Sequence, residues 1–174
     1  EILSAQDLAT QAVIDMKCYV NYYHKGTFKD QLVYKEQEVN VDLDLAHLKK
    51  LNAPIKLKIE KDGNQYLVTG SYYIPVDAFS SQKEPVKIEK TLASLPASIN
   101  TRVGTLHFTQ NGKYALKDGE SLKVIIVSPE MAAKGYTKAL AVSQTSKTTT
   151  IAELVLKDED PQRSIDYLNT LIKV

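Results

Sequence analysis

The apolar residues at the start of the chain recur at helical spacing. Those on one face are Leu8, Ala12, Val13 and Met16. Ser4 stands just before them, where its hydroxyl can cap the free backbone amides, and Asp7 lies in the first turn, where the helix dipole favours a negative charge. The pattern therefore predicts a helix over about residues 4–16.

A long central part of the chain has the pattern of short strands, with alternating polar and apolar residues or a high content of strand formers. The predicted strands cover residues 18–23, 27–34, 39–43, 86–88, 103–108 and 122–127, with a hairpin over 55–71 around Asp62-Gly63. Asn111-Gly112 is a second strong turn signal, after which Tyr114 to Leu116 should pair back on the preceding strand. The run at 122–127 is continuously apolar, which indicates a buried strand.

The pattern changes again after Pro129. Pro129 suits the first position of a short helix, which we expect to end near Lys134 because Gly135 follows. Residues 139–142 and 149–156 read as the last strands. A final helix should begin at Pro161, with Asp160 as its cap.

This order of elements predicts an α+β fold, because the strands do not alternate regularly with helices as in a parallel α/β sheet. We expect a mixed sheet packed with the N- and C-terminal helices, and a hairpin-rich β subdomain inserted at about residues 36–120 of the 174. The chain begins with Glu1 and ends within an apparent helix, which suggests a piece of a longer protein.

The amino-acid composition argues against some classes of function. Hydrophobic residues make up 43% and charged residues 25%, as in an ordinary globular chain. The 22 basic and 21 acidic residues leave a net charge of +1, which argues against nucleic acid as a partner. The sequence contains no apolar run long enough to span a membrane, and no signal peptide.

Residues that could carry chemistry are few and scattered. The single cysteine, Cys18, excludes an intrachain disulfide and a thiolate zinc cluster, and it lies in an apolar strand pattern typical of a core residue. The histidines, His24, His47 and His107, show no metal-ligand spacing. Phosphate-binding glycine motifs are missing, and Ser146-Lys147 lacks the surrounding motifs of serine acylases. We therefore predict no catalytic, metal or cofactor-binding residue and no cofactor.

Two further clusters have competing interpretations. Asp158-Glu159-Asp160 could suggest calcium binding or acid catalysis, but capping of the final helix is the better explanation. The chain has ten tyrosines and no tryptophan. Tyr19, Tyr22, Tyr23, Tyr72 and Tyr73 could form a sugar-stacking platform, although tyrosine is also a normal half-buried strand residue, which we favour.

The last forty residues carry the most specific pattern. They contain Ala139-Leu140-Ala141-Val142-Ser143, then Ser146 to Ile151, then Leu154-Val155-Leu156-Lys157-Asp158, and a D-P step at Asp160-Pro161 before a helix that includes Asn169. This order resembles the periplasmic Wzz-type domain of polysaccharide co-polymerases, also called chain-length determinant proteins. Residues 1–4 with the helix that follows resemble the first periplasmic helix of that family. Residues 95–104 resemble the larger variant that is fused to a tyrosine autokinase.

The resemblance implies a periplasmic domain held at the inner membrane by two flanking helices. It implies oligomers that govern the chain length or export of capsular, exopolysaccharide or lipopolysaccharide O-antigen glycans. The implied partners are other copies of the chain and the polymerase or export machinery, with the glycan itself left open. No catalytic residue is carried over, since the nucleotide-binding motifs of the kinase branch are absent from this sequence. A secreted carbohydrate-binding or adhesin-like β module is the alternative, and a secreted enzyme of unknown class is a third hypothesis.

Overall fold

The chain folds into two units, which a computed structural model describes for residues 4–143 and 159–173. A helical unit comprises Glu1–Tyr19 with Ser128–Val174, and a β unit comprises Val20–Val127. Antiparallel sheets and separate helices make the fold α+β, as the sequence predicts. The predicted insertion covered about residues 36–120, whereas the β unit begins at Val20 and ends at Val127.

The described residues of the helical unit form three helices, which are α1 (Ala5–Met16), α3 (Pro129–Ser143) and α4 (Pro161–Lys173). Helix α1 begins as predicted: Ser4 and Asp7 form a reciprocal capping box, in which the Asp7 amide donates to the Ser4 hydroxyl at 3.1 Å. The helix buries Ala9, Ala12 and Val13 and contacts both α3 and α4. One face of α1 therefore holds this unit together.

The β unit contains two antiparallel sheets and a short helix, α2 (Leu45–Leu48). The six-stranded sheet has the order β2-β1-β9-β4-β5-β6, and the three-stranded sheet has the order β3-β8-β7. The strands are β1 (Val20–His24), β2 (Gln31–Val33), β3 (Val39–Asp42), β4 (Ile55–Asp62), β5 (Gln65–Pro75), β6 (Lys83–Leu92), β7 (Ala97–Thr101), β8 (Gly104–Gln110) and β9 (Ser121–Ile126).

The core of the β unit uses alternate residues of these strands. In the six-stranded sheet the fully buried side chains include Ile55, Ile59, Val68, Leu122, Val124 and Ile126, and in the three-stranded sheet they include Val39, Leu106 and Phe108. The Tyr22 hydroxyl joins the two sheets, because it accepts a hydrogen bond from the Val41 amide at 2.8 Å. Since successive strand residues face opposite sides, the other face of each strand is left for polar side chains.

Helix α3 corrects the prediction for the region after Pro129. It runs through Gly135 to Ser143, so residues 139–142 are helical and not a strand. Gly135 is an interior helix residue with open space where a Cβ would stand. Glycine lowers helix stability by about 1 kcal/mol relative to alanine but does not stop a helix that tertiary contacts support.

The segment after Asn111 also differs from the prediction. Residues 114–116 form no strand, and β8 pairs with β3 and β7 instead. Asn111 ends β8 by other bonds: its amide donates to the Glu38 carbonyl at 2.9 Å, and its side-chain amide donates to the Gln37 carbonyl at 2.8 Å. Long-range bonding to a neighbouring loop thus replaces the local hairpin turn.

Smaller differences concern the extent of elements. The predicted strand over 27–34 shrinks to β2, while the short strand predicted at 86–88 extends to the ten residues of β6. Strand β7 and helix α2 were not predicted. The strand predicted over 149–156 lies outside the described residues. All pairings of the described strands are antiparallel, so the mixed sheet expected from the sequence is not found among them.

Candidate functional site

The polar face of the six-stranded sheet carries a groove of about 450 Å³, which we call the lysine groove. Its basic residues are Lys25, Lys56, Lys58 and Lys123, and Asp30 is the acidic residue of its lining. The remaining residues of the lining are Leu57, Thr69, Gly70, Ser71 and Ser121.

Strand alternation explains why the lysines gather on this face. In β4, Ile55, Leu57 and Ile59 are buried, so that the intervening Lys56 and Lys58 face solvent. In β9 the same alternation exposes Lys123 between two buried residues. The register places Lys58 directly opposite Lys123, which brings lysines of neighbouring strands side by side.

The floor of the groove depends on a glycine. A Cβ at Gly70 would collide with the Lys56 carbonyl oxygen and lie 2.9 Å from the Leu57 Cα. Strands β4 and β5 therefore approach each other closely where Lys56 emerges, and this approach requires a residue without a side chain.

Two of the four ammonium groups are paired with carboxylates. Lys123 Nζ lies 3.1 Å from Asp30 Oδ2, and Lys58 Nζ lies 3.1 Å from Glu60 Oε2. No ion pair with Lys25 or Lys56 is found among residues 4–143 and 159–173. These ion pairs are solvent-exposed and each contributes at most about 1 kcal/mol, so both carboxylates can yield to a competing anion.

The chemistry available in the groove is anion binding. Each ammonium has three donors and no acceptor, and the hydroxyls of Thr69, Ser71 and Ser121 can both donate and accept. The lining holds neither a histidine nor a cysteine to act as a base or nucleophile. This site was not predicted, because the net charge of the chain does not reveal a local cluster of lysines; the alternation Ile-Lys-Leu-Lys-Ile at 55–59 was the available signal in the sequence.

A second, smaller cavity of about 170 Å³ lies beside α2 in the β unit. It is lined in part by His47, Lys50, Tyr72 and Arg102. The Arg102 amide donates to the Tyr72 hydroxyl at 3.2 Å, and Tyr72 is buried. These contacts join the segment after β7 to strand β5, and they give this cavity a role in packing.

Each of the three histidines has a different polar partner. His24 Nε2 lies 2.6 Å from Glu38 Oε1, and His107 Nδ1 lies 3.0 Å from the Ser98 hydroxyl. His47 Nδ1 lies 2.6 Å from Asp44 Oδ1. The His47 amide also donates to Asp44, which lowers the pKa of that carboxyl below its usual value.

Among residues 4–143 and 159–173, no group of three or more His, Cys, Asp or Glu side chains is placed to hold a metal ion. The carboxylate and imidazole pairs therefore act as local hydrogen-bonding pairs.

The other candidate residues serve the core and the helix ends. Cys18 is buried, as predicted. Tyr19, Tyr22 and Tyr72 are also buried, so their rings are not available to stack on a sugar, whereas Tyr73 is 39% exposed. Burial raises the pKa of Tyr22 to about 12.

The predicted cap of the final helix is confirmed. Asp160 Oδ1 accepts a hydrogen bond from the Arg163 amide at 3.2 Å, directly before Pro161 begins α4. Glu159 of the acidic cluster is exposed, whereas Asp158 and the pair Ser146-Lys147 lie outside the described residues.

The sequence matches no protein-family model, and no curated protein is significantly similar to it. Among the helices that the structure describes, none is long and apolar enough to cross a membrane.

Proposed function

We propose that this chain is the periplasmic domain of an inner-membrane polysaccharide co-polymerase. In this proposal it regulates the chain length or export of capsular, exopolysaccharide or O-antigen glycans by oligomeric scaffolding, and it has no catalytic residue. The resemblance of residues 139–172 and 95–104 to the Wzz-type domain motivates the proposal.

One structural observation carries the proposal furthest. Helices α1 and α4, which come from opposite ends of the sequence, contact each other in the same unit, and the whole β unit is inserted between them. A unit that gathers both ends suits a domain held by two flanking membrane helices. Such anchors would keep neighbouring copies at high effective concentration, which favours a ring over a monomer.

The surface of α4 supports contact between copies. Ile165 is 39% exposed and Ile172 is 82% exposed. They stand seven residues apart and therefore share one helix face. Exposed apolar residues in register on one helix are suited to pack against a neighbouring subunit.

The test is the mass of the parent protein with both flanking segments, extracted in mild detergent and measured by light scattering coupled to size exclusion. We expect a large ring-like oligomer from the parent and a monomeric or weakly associating species from the 174-residue chain. A parent that stays monomeric at all accessible concentrations would remove the physical support for scaffolding.

A matched pair of variants makes this test specific. In the parent, Ile165→Asp combined with Ile172→Asp should shift the oligomer toward smaller species, because it places charges on the proposed contact face. Leu45→Asp is the control, since Leu45 is also 39% exposed but belongs to the β unit. Equal dissociation by both changes would contradict a contact through α4.

A further inference from the structure

The lysine groove is more positively charged than the molecule as a whole. Its lining holds four lysines and one aspartate, although the whole chain has a net charge of only +1. Lys58 and Lys123 are directly opposed across β4 and β9, an arrangement in which like charges destabilise a sheet. A locally unfavourable arrangement on an otherwise consistent fold is typical of a functional surface.

The neutral part of the lining suits a hydroxyl-rich polymer. Thr69, Ser71 and Ser121 place hydroxyls among the lysines. At the edge of the groove, Lys123 Nζ lies 5.8 Å from the centre of the Tyr23 ring, so an aromatic side chain adjoins the charged row. The volume of about 450 Å³ falls within the range of small-molecule and oligosaccharide-sized sites.

We propose that the lysine groove binds a segment of an anionic glycan, with its negative groups at Lys25 and Lys56 and its hydroxyls along β5 and β9. This inference rests on the proposed function and names the kind of glycan involved. The negative charge can come from uronate carboxylates or from phosphodiesters, because an ammonium binds both as a point charge. Lys58 and Lys123 would contribute the donors that their carboxylate partners leave unused.

The groove is less suited to nucleic acid. Sites for single-stranded nucleic acid combine positive charge with several aromatic rings on which successive bases stack. The lysine groove has no aromatic residue in its lining, so it offers no row of rings to successive bases.

The experiment measures binding of fluorescently labelled oligogalacturonate to the 174-residue chain by anisotropy over a range of salt concentrations. Competition with polyglycerol phosphate distinguishes phosphodiesters from carboxylates, and competition with uncharged dextran tests the need for charge. We expect salt-dependent binding, displaced by one or both anionic polymers and not by dextran. Displacement by dextran at equal concentration would overturn the proposal.

Two double variants locate the site. Lys25→Gln with Lys56→Gln should weaken binding by about tenfold, as expected for the loss of two exposed ion pairs. Lys113→Gln with Lys117→Gln removes the same charge from an exposed loop of the β unit outside the groove, and should change binding by less than about twofold. All four lysines are exposed, so both proteins should keep the wild-type unfolding midpoint.

Equal weakening by the two double variants would show general attraction to a polyanion and would overturn the proposal. Tighter binding of a single-stranded oligonucleotide, lost in the groove variant alone, would also overturn it by assigning the groove to nucleic acid. The mass of the parent separates the two proposals. If the parent forms a ring but the domain binds no anionic glycan, the scaffolding proposal stands and the glycan-binding proposal is overturned. If the parent is monomeric but the domain binds the glycan through the groove, the glycan-binding proposal stands and the scaffolding proposal is overturned.

Discussion

The helical unit and the β unit bury their tyrosines in different ways. In the β unit, the Tyr22 hydroxyl accepts from the Val41 amide at 2.8 Å and donates to the Val41 carbonyl at 3.3 Å. In the helical unit, Tyr167 is fully buried and stacks on Tyr136, with ring centres 4.2 Å apart and planes inclined by 18°. The β unit therefore places directional polar bonds inside its core, whereas the helical unit relies on ring packing.

This difference predicts which kinds of substitution destabilise each unit. Two sheets held by buried hydrogen bonds and by strand register tolerate little change in backbone spacing. Helices that meet through rings and apolar stripes depend more on caps and on helix propensity. Substitutions of the same kind should therefore change the free energy of unfolding by different amounts in the two units, and in one case with opposite signs.

The largest effect is expected in the centre of the β unit. Phe108 is fully buried in β8, the middle strand of the three-stranded sheet. Phe108→Ala should lower the free energy of unfolding by about 3–5 kcal/mol, because it loses apolar burial and leaves a cavity. Urea denaturation followed by circular dichroism measures it, and a loss below about 1 kcal/mol would contradict the central position of Phe108 in the core.

A glycine-to-alanine pair should give opposite signs in the two units. Gly70→Ala places a Cβ against the backbone of β4 and should destabilise the protein by about 1–3 kcal/mol, the cost of overpacking. Gly135→Ala meets open space inside α3 and should stabilise it by about 0.5–1 kcal/mol.

The unfolding midpoints of the two glycine variants, measured side by side with wild type, decide this comparison. Destabilisation by Gly135→Ala would show that the helix does need a glycine there. A neutral Gly70→Ala would show that strands β4 and β5 separate without cost.

The two units also differed in how well their sequences predicted them. Strands such as β4 were predicted well, because Ile55, Leu57 and Ile59 alternate with lysines and only one side is buried. Helix α3 was cut short in the prediction, because a glycine and a later apolar run mimic a helix end and a strand; contacts with α1, which no local pattern reveals, support it instead.

The candidate site was only partly predictable. Alternation put Lys56 and Lys58 on one polar face, but the pairing of Lys58 with Lys123 joins residues 65 positions apart in the sequence. That pairing depends on β9 inserting between β1 and β4, which local patterns do not determine.

The hydrogen bonds of Tyr22 are the next test of the comparison. Tyr22→Phe keeps the ring but leaves the buried Val41 amide without its hydroxyl acceptor, so it should cost about 1–3 kcal/mol. Tyr167→Phe is the matched change in the helical unit and should cost less, because ring stacking survives. Equal losses, measured by denaturant titration at neutral pH, would remove the distinction between the two cores.

Alkaline pH gives a second test of the comparison between Tyr22 and Tyr167. Burial raises the pKa of Tyr22 to about 12 and that of Tyr167 to about 12, from an ordinary value of 10.0. Between about pH 10 and about pH 12 the unfolded chain has lost the tyrosine protons that the folded chain keeps, so the free energy of unfolding should fall as the pH rises through this range. Each Phe variant should flatten part of this fall, and an unchanged slope in both variants would contradict the burial of these hydroxyls.

The smallest expected loss of stability concerns the cap of α4. Asp160 Oδ1 accepts from the Arg163 amide, and Pro161 supplies a first helical residue that needs no amide partner. Asp160→Ala should therefore cost about 1 kcal/mol, while Asp160→Asn keeps an acceptor and should recover most of it. The helices of this unit depend on their caps more than the strands of the β unit do. The loss of the cap should therefore also lower the helical circular dichroism signal before the main unfolding transition. An unchanged midpoint and slope for Asp160→Ala in urea would contradict the capping role and the sensitivity that we assign to the helical unit.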